Sequence, residues 1–161
     1  MSTTRIDVTK HLGSGLTRAL FAMGNEVERS GLEPSLRELV KMRASQVNGC
    51  AYCIDMHSKD ARAHGETEQR LYALSAWRET PFFSERERAA LEWTEAVTRV
   101  SIEHPSDELF ARVQAQFSEE EIVALTFSVL VINSWNRLSI AFRPLVGSYQ
   151  PGAYTPAAAS A

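Results

Sequence analysis

Three short stretches constrain the fold of this 161-residue chain more than anything else in it. Ser35-Leu36-Arg37-Glu38, Ser84-Glu85-Arg86-Glu87 and Ser118-Glu119-Glu120-Glu121 each have the form of a capping box. In that arrangement a serine hydroxyl and a glutamate three residues on satisfy each other's backbone N–H groups at a helix start. Apolar residues at helical spacing follow each one: Leu39, Val40 and Val47; then Leu91, Trp93, Ala96, Val97 and Val100; then the run from Ile122 to about Phe142.

The segments between them read the same way. Leu16, Leu20, Met23 and Val27 predict a helix ending near Ser30-Gly31. Asn48-Gly49 should stop the helix that starts at Ser35, because glycine readily takes the left-handed conformation needed just past a helix end. A new helix can then run from about Cys50 to His64, and a shorter one from Glu66 to Trp77. Pro105-Ser106 should open a helix through Leu109, Phe110, Val113 and Phe117, and Pro144 with Gly147 should end the last one. No hairpin signal competes. The expected fold class is therefore all-α, a single-domain antiparallel bundle of about seven helices. The domain is expected over 1–148, with a flexible tail over 149–161 that is rich in Pro, Gly, Ala and Ser.

Charge and composition exclude more than they name. A net charge of −3 gives no basic footprint for nucleic acid and no polybasic patch for a membrane surface. The stretch from Ile122 to Ile132 is too short to span a bilayer and runs into Asn133, Asn136 and Arg137. The first residues are polar, without the apolar region of a secretory signal, so a cytoplasmic location is expected. In that reducing setting the two cysteines, Cys50 and Cys53, suit redox, sensing or metal chemistry better than a structural disulfide.

On a helix, Cys50, Cys53 and His57 fall on one face, with Cys53 and His57 within about 40° and Cys50 about 60° to the other side. Because Asn48-Gly49 precedes them, the cysteines lie at the helix start, where unpaired N–H groups and the dipole favour a thiolate. His57, one turn beyond Cys53, can take a thiol proton directly or through water. Zinc held by Cys50, Cys53, His57 and His64 is the structural alternative, but three ligands on one helix hardly surround a tetrahedral ion, and no second CxxC exists. No metal and no cofactor are expected.

Glu38, twelve residues before Cys50, completes the pattern E-x11-C-x2-C-x3-H, with Asn48-Gly49-Cys50-Ala51-Tyr52-Cys53 and His57-Ser58 around it. This resembles the alkylhydroperoxidase D-like branch of the carboxymuconolactone decarboxylase family. Asn133-Ser134-Trp135-Asn136-Arg137 is similar to that family's late Asn-Arg segment. The resemblance covers roughly residues 16–145 and implies an all-helical fold, assembly into trimers or hexamers, and thiol-dependent peroxidase activity. Carried over, it makes Cys53 the cysteine that becomes a sulfenic acid and Cys50 the one that resolves it. Glu38 would orient His57, and His57 would assist deprotonation of Cys53 through a water. The partners it implies are a small hydroperoxide and an external thiol or disulfide reductase as electron donor. Tyr52 stands where the best-known peroxidase members place a histidine.

Other readings remain open beside it. Glu38 also fits the third position of the Ser35 capping box, with a purely local role. In thioredoxin-like pairs the more N-terminal sulfur is the nucleophile, which would favour Cys50. A dithiol–disulfide oxidoreductase or a redox sensor would use the same residues without peroxide turnover. Asp55 and Lys59 read as an exposed ion pair, and Asn136 or Arg137 as pocket-lining residues or as polar groups bonded within the bundle.

Overall fold

A computed structural model describes residues 4–153, and among these the regular structure is entirely helical. Seven α-helices follow in order: α1 (Gly15–Glu28), α2 (Pro34–Asn48), α3 (Ala51–Ala63), α4 (Glu68–Ala73), α5 (Glu85–Thr98), α6 (Asp107–Gln114) and α7 (Glu119–Phe142). Short 3-10 turns at Val8–His11 and Leu74–Glu79 complete the list. The segment expected as one helix from Glu66 to Trp77 is broken, because Ala76 leaves helical geometry at φ −120° and ψ 33°.

Two of the three capping boxes form as the sequence predicts. Ser84 and Ser118 each accept from the backbone N–H three residues on, and Glu87 and Glu121 each accept from the serine N–H in return. The first does not form. α2 starts two residues earlier, with Pro34 in its first turn and Glu33 as the cap residue. Proline suits that position because its missing N–H would have had no helical partner. Ser35 is thereby inside the helix, and Glu38 is released from capping to do something else. At the other end of α2, Gly49 adopts φ 67° and ψ 32°, the left-handed turn the sequence requires there.

Helix α2 is the hub and packs against α3, α5 and α7. Leu36 and Val40, one turn apart, join Leu32, Ala90, Trp93, Val113, Leu125 and Val129 in one apolar core. Leu39 and Met42 face the other way into a second core with Ala61, Leu71, Leu74, Trp77, Phe83 and Leu91. Ala44, near the end of α2, meets Cys50, Cys53 and Ile132 in a third. A helix buried on this many sides fixes whatever it carries. By contrast α1 packs on α7, and Leu16, one of the apolar residues at helical spacing, is 87% exposed.

One buried carboxylate ties three elements together. Glu95 on α5 accepts from Trp77 Nε1 at 2.8 Å, Arg43 Nε at 2.7 Å and Arg78 Nη1 at 2.8 Å. Burial opposes its ionisation, but these three donors outweigh burial and hold its carboxyl below the usual range. Replacing Glu95 by Gln leaves the buried Arg43 and Trp77 donors without an anionic partner, and should destabilise the fold by about 2–4 kcal/mol in urea titrations at pH 7. Since the folded pKa is the lower one, this contribution is complete above the ordinary glutamate range and is lost as pH falls through it. The difference between wild type and Glu95→Gln should therefore shrink in acid, which the same titrations repeated at lower pH would show.

Candidate active site

The turn between α2 and α3 sets the position of the thiols. Asn48, the last residue of α2, donates its side-chain amide to Asn133 Oδ1 at 3.0 Å and to Asn136 Oδ1 at 2.8 Å, both on α7. Asn136 is fully buried and donates in turn to Ser45 Oγ at 3.0 Å. Asn133 donates to Thr98 Oγ1 and accepts from Arg137, whose guanidinium thus serves this bridge. The asparagines that interrupt the apolar run of α7 are the fasteners that hold the α2–α3 turn against it.

Cys50 occupies the N-cap position of α3, and Cys53 lies in its first turn. The two sulfurs are 2.7 Å apart as free thiols, each 1% exposed, with Tyr52 packed against them. Such a pair holds one negative charge, not two, and its surroundings choose where. The Cys53 thiol, then backbone N–H groups at the start of α3 and the Ser139 hydroxyl, stabilise charge on Cys50 and bring it down to about 7, against the opposing effect of burial. The Cys50 sulfur and burial push the Cys53 thiol up, despite Ser139 and Asn136 beside it. Within this pair the helix-start N–H groups favour charge at Cys50, and burial disfavours it at Cys53.

His57 lies one turn beyond Cys53 and is buried. Its Nδ1 is 3.1 Å from Glu38 Oε2, across the α2–α3 interface. The other Glu38 oxygen accepts from Lys41 Nζ at 2.9 Å, and Lys41 also reaches Glu28 Oε1 on α1 at 2.9 Å. Arg37 closes the far side of Glu28 at 2.5 Å. Burial works against ionised Glu38, but the hydrogen bond from His57 and the charge of Lys41 hold its carboxyl at about 2. Glu38 is thus an anion bonded to an imidazole, the geometry that orients a base.

Of the residues singled out in the sequence, Cys50 meets Cys53 and Glu38 meets His57 across α2 and α3, with His57 one turn beyond Cys53. His64 does not: it is exposed, with Nδ1 2.8 Å from the Asp60 carbonyl. Asp55 and Lys59 do pair, at 2.9 Å, but only partly exposed and in a further task. Gly147 N–H donates to Asp55, and Lys59 reaches the Tyr149 carbonyl at 3.1 Å, which fastens the C-terminal segment to α3. Tyr149, the first residue of the expected tail, is consequently buried there, while 154–161 lie outside the described residues. Lys41, Asn48 and Ser139 were missed by sequence reasoning. Lys41 follows Glu38 by three residues and Ser139 follows Asn136 by three, so helical spacing was the available signal.

Glu38, His57 and Asp60 place ligand-type atoms within 4.8 Å of one another. The two carboxylates already have partners in the Lys41 ammonium and the Tyr149 hydroxyl, an arrangement that suits proton handling more than a cation.

The family model of the carboxymuconolactone decarboxylase family matches residues 15–96. YdfG of Bacillus subtilis (strain 168), itself uncharacterised, is 48% identical over 124 residues, spanning 77% of this chain and 84% of YdfG. A protein of unknown function from Agrobacterium tumefaciens, described as a candidate antioxidant defence protein AhpD, superimposes with a TM-score of 0.86 at 41% identity, covering 91% of this chain and all of that one. The debrominase Bmp8, solved with 2,3,4-tribromopyrrole, is similar in fold with a TM-score of 0.78 at 20% identity, covering 88% of this chain and 75% of Bmp8. The match to the family model, with the paired thiols folded against a Glu–His dyad, makes this chain a member of the carboxymuconolactone decarboxylase family, in its alkylhydroperoxidase D-like branch.

Proposed function

We propose that the protein is a thiol-dependent peroxidase that reduces small hydroperoxides through a dithiol–disulfide cycle at Cys50 and Cys53. The observation that carries this reading is the buried pair of sulfurs 2.7 Å apart, one favoured as thiolate, beside the Glu38–His57 dyad. The Cys50 thiolate attacks the distal peroxide oxygen, the O–O bond breaks, and the departing alkoxide takes a proton to leave as alcohol. Cys50 is then a sulfenic acid. Cys53, held protonated, must lose its proton to continue, and His57 is the base available on the same helix. The Cys53 sulfur attacks the Cys50 sulfur, the S–S bond forms, and the S–O bond breaks. The leaving hydroxide takes the proton from His57 to give water. An external dithiol donor restores the pair.

The sulfurs already lie close to bonding distance, so disulfide closure asks for little backbone movement. The rest of the assignment follows the same reading. A reducing cytoplasm keeps the pair as thiols between turnovers, and no nucleic acid or membrane takes part. Assembly into a trimer or hexamer has support in Val123, Phe127 and Leu130, which form an exposed apolar stripe along α7. Because the fold also serves a debrominase, the substrate is what has to be tested.

Turnover of an organic hydroperoxide and of hydrogen peroxide with a dithiol reductant should be followed beside 2,3,4-tribromopyrrole as competitor substrate. Wild type should turn over peroxide, and Cys50→Ser should abolish the first oxidation. Cys53→Ser should oxidise once, accumulate a dimedone-reactive sulfenic acid on Cys50, and stall. Sulfenic acid on Cys53 in the Cys50→Ser protein would restore the order implied by the family. No peroxide turnover in wild type, with the thiols still cycling, would leave only a disulfide oxidoreductase or sensor.

Two further outcomes follow from the charges. Alkylation of Cys50 by iodoacetamide in wild type should be half-maximal near pH 7 and fall as the thiolate is protonated in acid. Glu38→Gln, which keeps the shape but removes the anion from His57, should lower peroxide turnover roughly tenfold to a hundredfold at neutral pH without unfolding, read by steady-state kinetics beside circular dichroism.

A further inference from the structure

The proton-handling cluster has a member that the peroxidase reading does not use. Asp60 lies one turn beyond His57 on α3, and its carboxylate is within 4.8 Å of both Glu38 and His57 at their ligand-type atoms. The Tyr149 hydroxyl lies 2.8 Å from one Asp60 oxygen and 3.0 Å from the other. Tyr149 comes from the segment after α7, which turns at Arg143 in the left-handed conformation and again at Gly147, and is stapled to α3 through Asp55 and Lys59. Eighty-nine positions separate Tyr149 from Asp60 in the chain, and three separate contacts bring them together.

We propose that Asp60, anchored by the Tyr149 hydroxyl, is a positioning residue of the Glu38–His57 relay, a second carboxylate that sets how tightly the thiol site holds its proton. The inference rests on the dithiol reading of Cys50 and Cys53. The groups that face it are Glu38 and Lys41 from α2, with Glu28 of α1 behind Lys41, His57 from α3, and Tyr149 from the C-terminal segment. A carboxylate among these groups makes every neighbouring site more reluctant to give up a proton, since each deprotonation adds negative charge beside negative charge. Burial pushes the Asp60 carboxyl above its usual range, and the Tyr149 hydroxyl works in the opposite direction, keeping the charge in place. The phenol therefore acts through Asp60, and Asp60 acts through His57.

The pH dependence of iodoacetamide alkylation tests this in wild type, Asp60→Asn, Asp60→Glu and Tyr149→Phe. Peroxide turnover is not needed for this readout. In Asp60→Asn the acid limb should move to lower pH by about 0.5–1 unit, with the plateau rate within about twofold of wild type. Tyr149→Phe should shift it in the same direction by less, and Asp60→Glu should return it towards wild type. Superimposable profiles would overturn the proposal. So would a uniform loss of rate at every pH together with a lowered Tm, which marks a mere fastener of the C-terminal segment. Should Asp60→Asn fail to fold, Tyr149→Phe, which removes a single oxygen atom, decides the question alone. Peroxide turnover measured separately in wild type keeps the two claims apart: its absence overturns the peroxidase reading, while the alkylation profiles still decide the role of Asp60.

Discussion

The rest of this structure depends on one side-chain amide. Asn48 donates to Asn133 and Asn136 at once, and so pins the corner between α2 and α3 to the middle of α7. Inside a bundle, a polar group without a partner costs about 1–3 kcal/mol, so three asparagines that satisfy one another specify a single register between these helices. Apolar contacts alone would tolerate small slides of one helix along another. The corner holds Cys50 at the N-cap position and Cys53 in the first turn, so the same amide that docks the helices also aims the thiols. Ser45, Asn136 and Ser139 carry that bonding up to the sulfurs themselves.

A second chain of interactions runs at right angles to this logic, through charge. From Arg37 to Glu28, Lys41, Glu38 and His57, positive and negative groups alternate across α1, α2 and α3. Each charge is partly or wholly removed from water and is tolerable because its neighbour has the opposite sign. The chain ends at the imidazole of His57. Burial alone would tend to neutralise the carboxylate; here the hydrogen bond from His57 and then the charge of Lys41 keep it ionised. The thiols depend first on each other, and then on helix-start N–H groups at Cys50 and burial at Cys53. An asymmetric pair of this kind holds a reactive sulfur and a protonated reserve within one turn of helix.

Much of this was legible in the chain. Cys50, Cys53 and His57 share one helix, so their relative placement is a matter of local geometry, and Gly49 marks where that helix begins. Glu38 was ambiguous because Ser35-x-x-Glu38 has the form of a cap. Pro34 decided the matter by opening the helix two residues earlier, a preference that is itself local but easily overshadowed by the stronger box pattern. The interruption of α7 by Asn133 and Asn136 was visible as an anomaly, yet their shared partner was not, because Asn48 is more than eighty positions away. The same holds for Glu95, the meeting point of Trp77, Arg43 and Arg78, two of them more than fifteen positions away and the third more than fifty.

The sequence by itself determined the helices, their stops and the single face that carries two thiols and an imidazole, since caps, glycines and helical periodicity act over three or four residues. Tertiary structure alone decided what surrounds each thiol, what keeps Glu38 ionised and that Tyr149 closes on Asp60. Those outcomes depend on burial and on electrostatic fields, which are sums over groups brought close by packing, and no local pattern in a chain contains them.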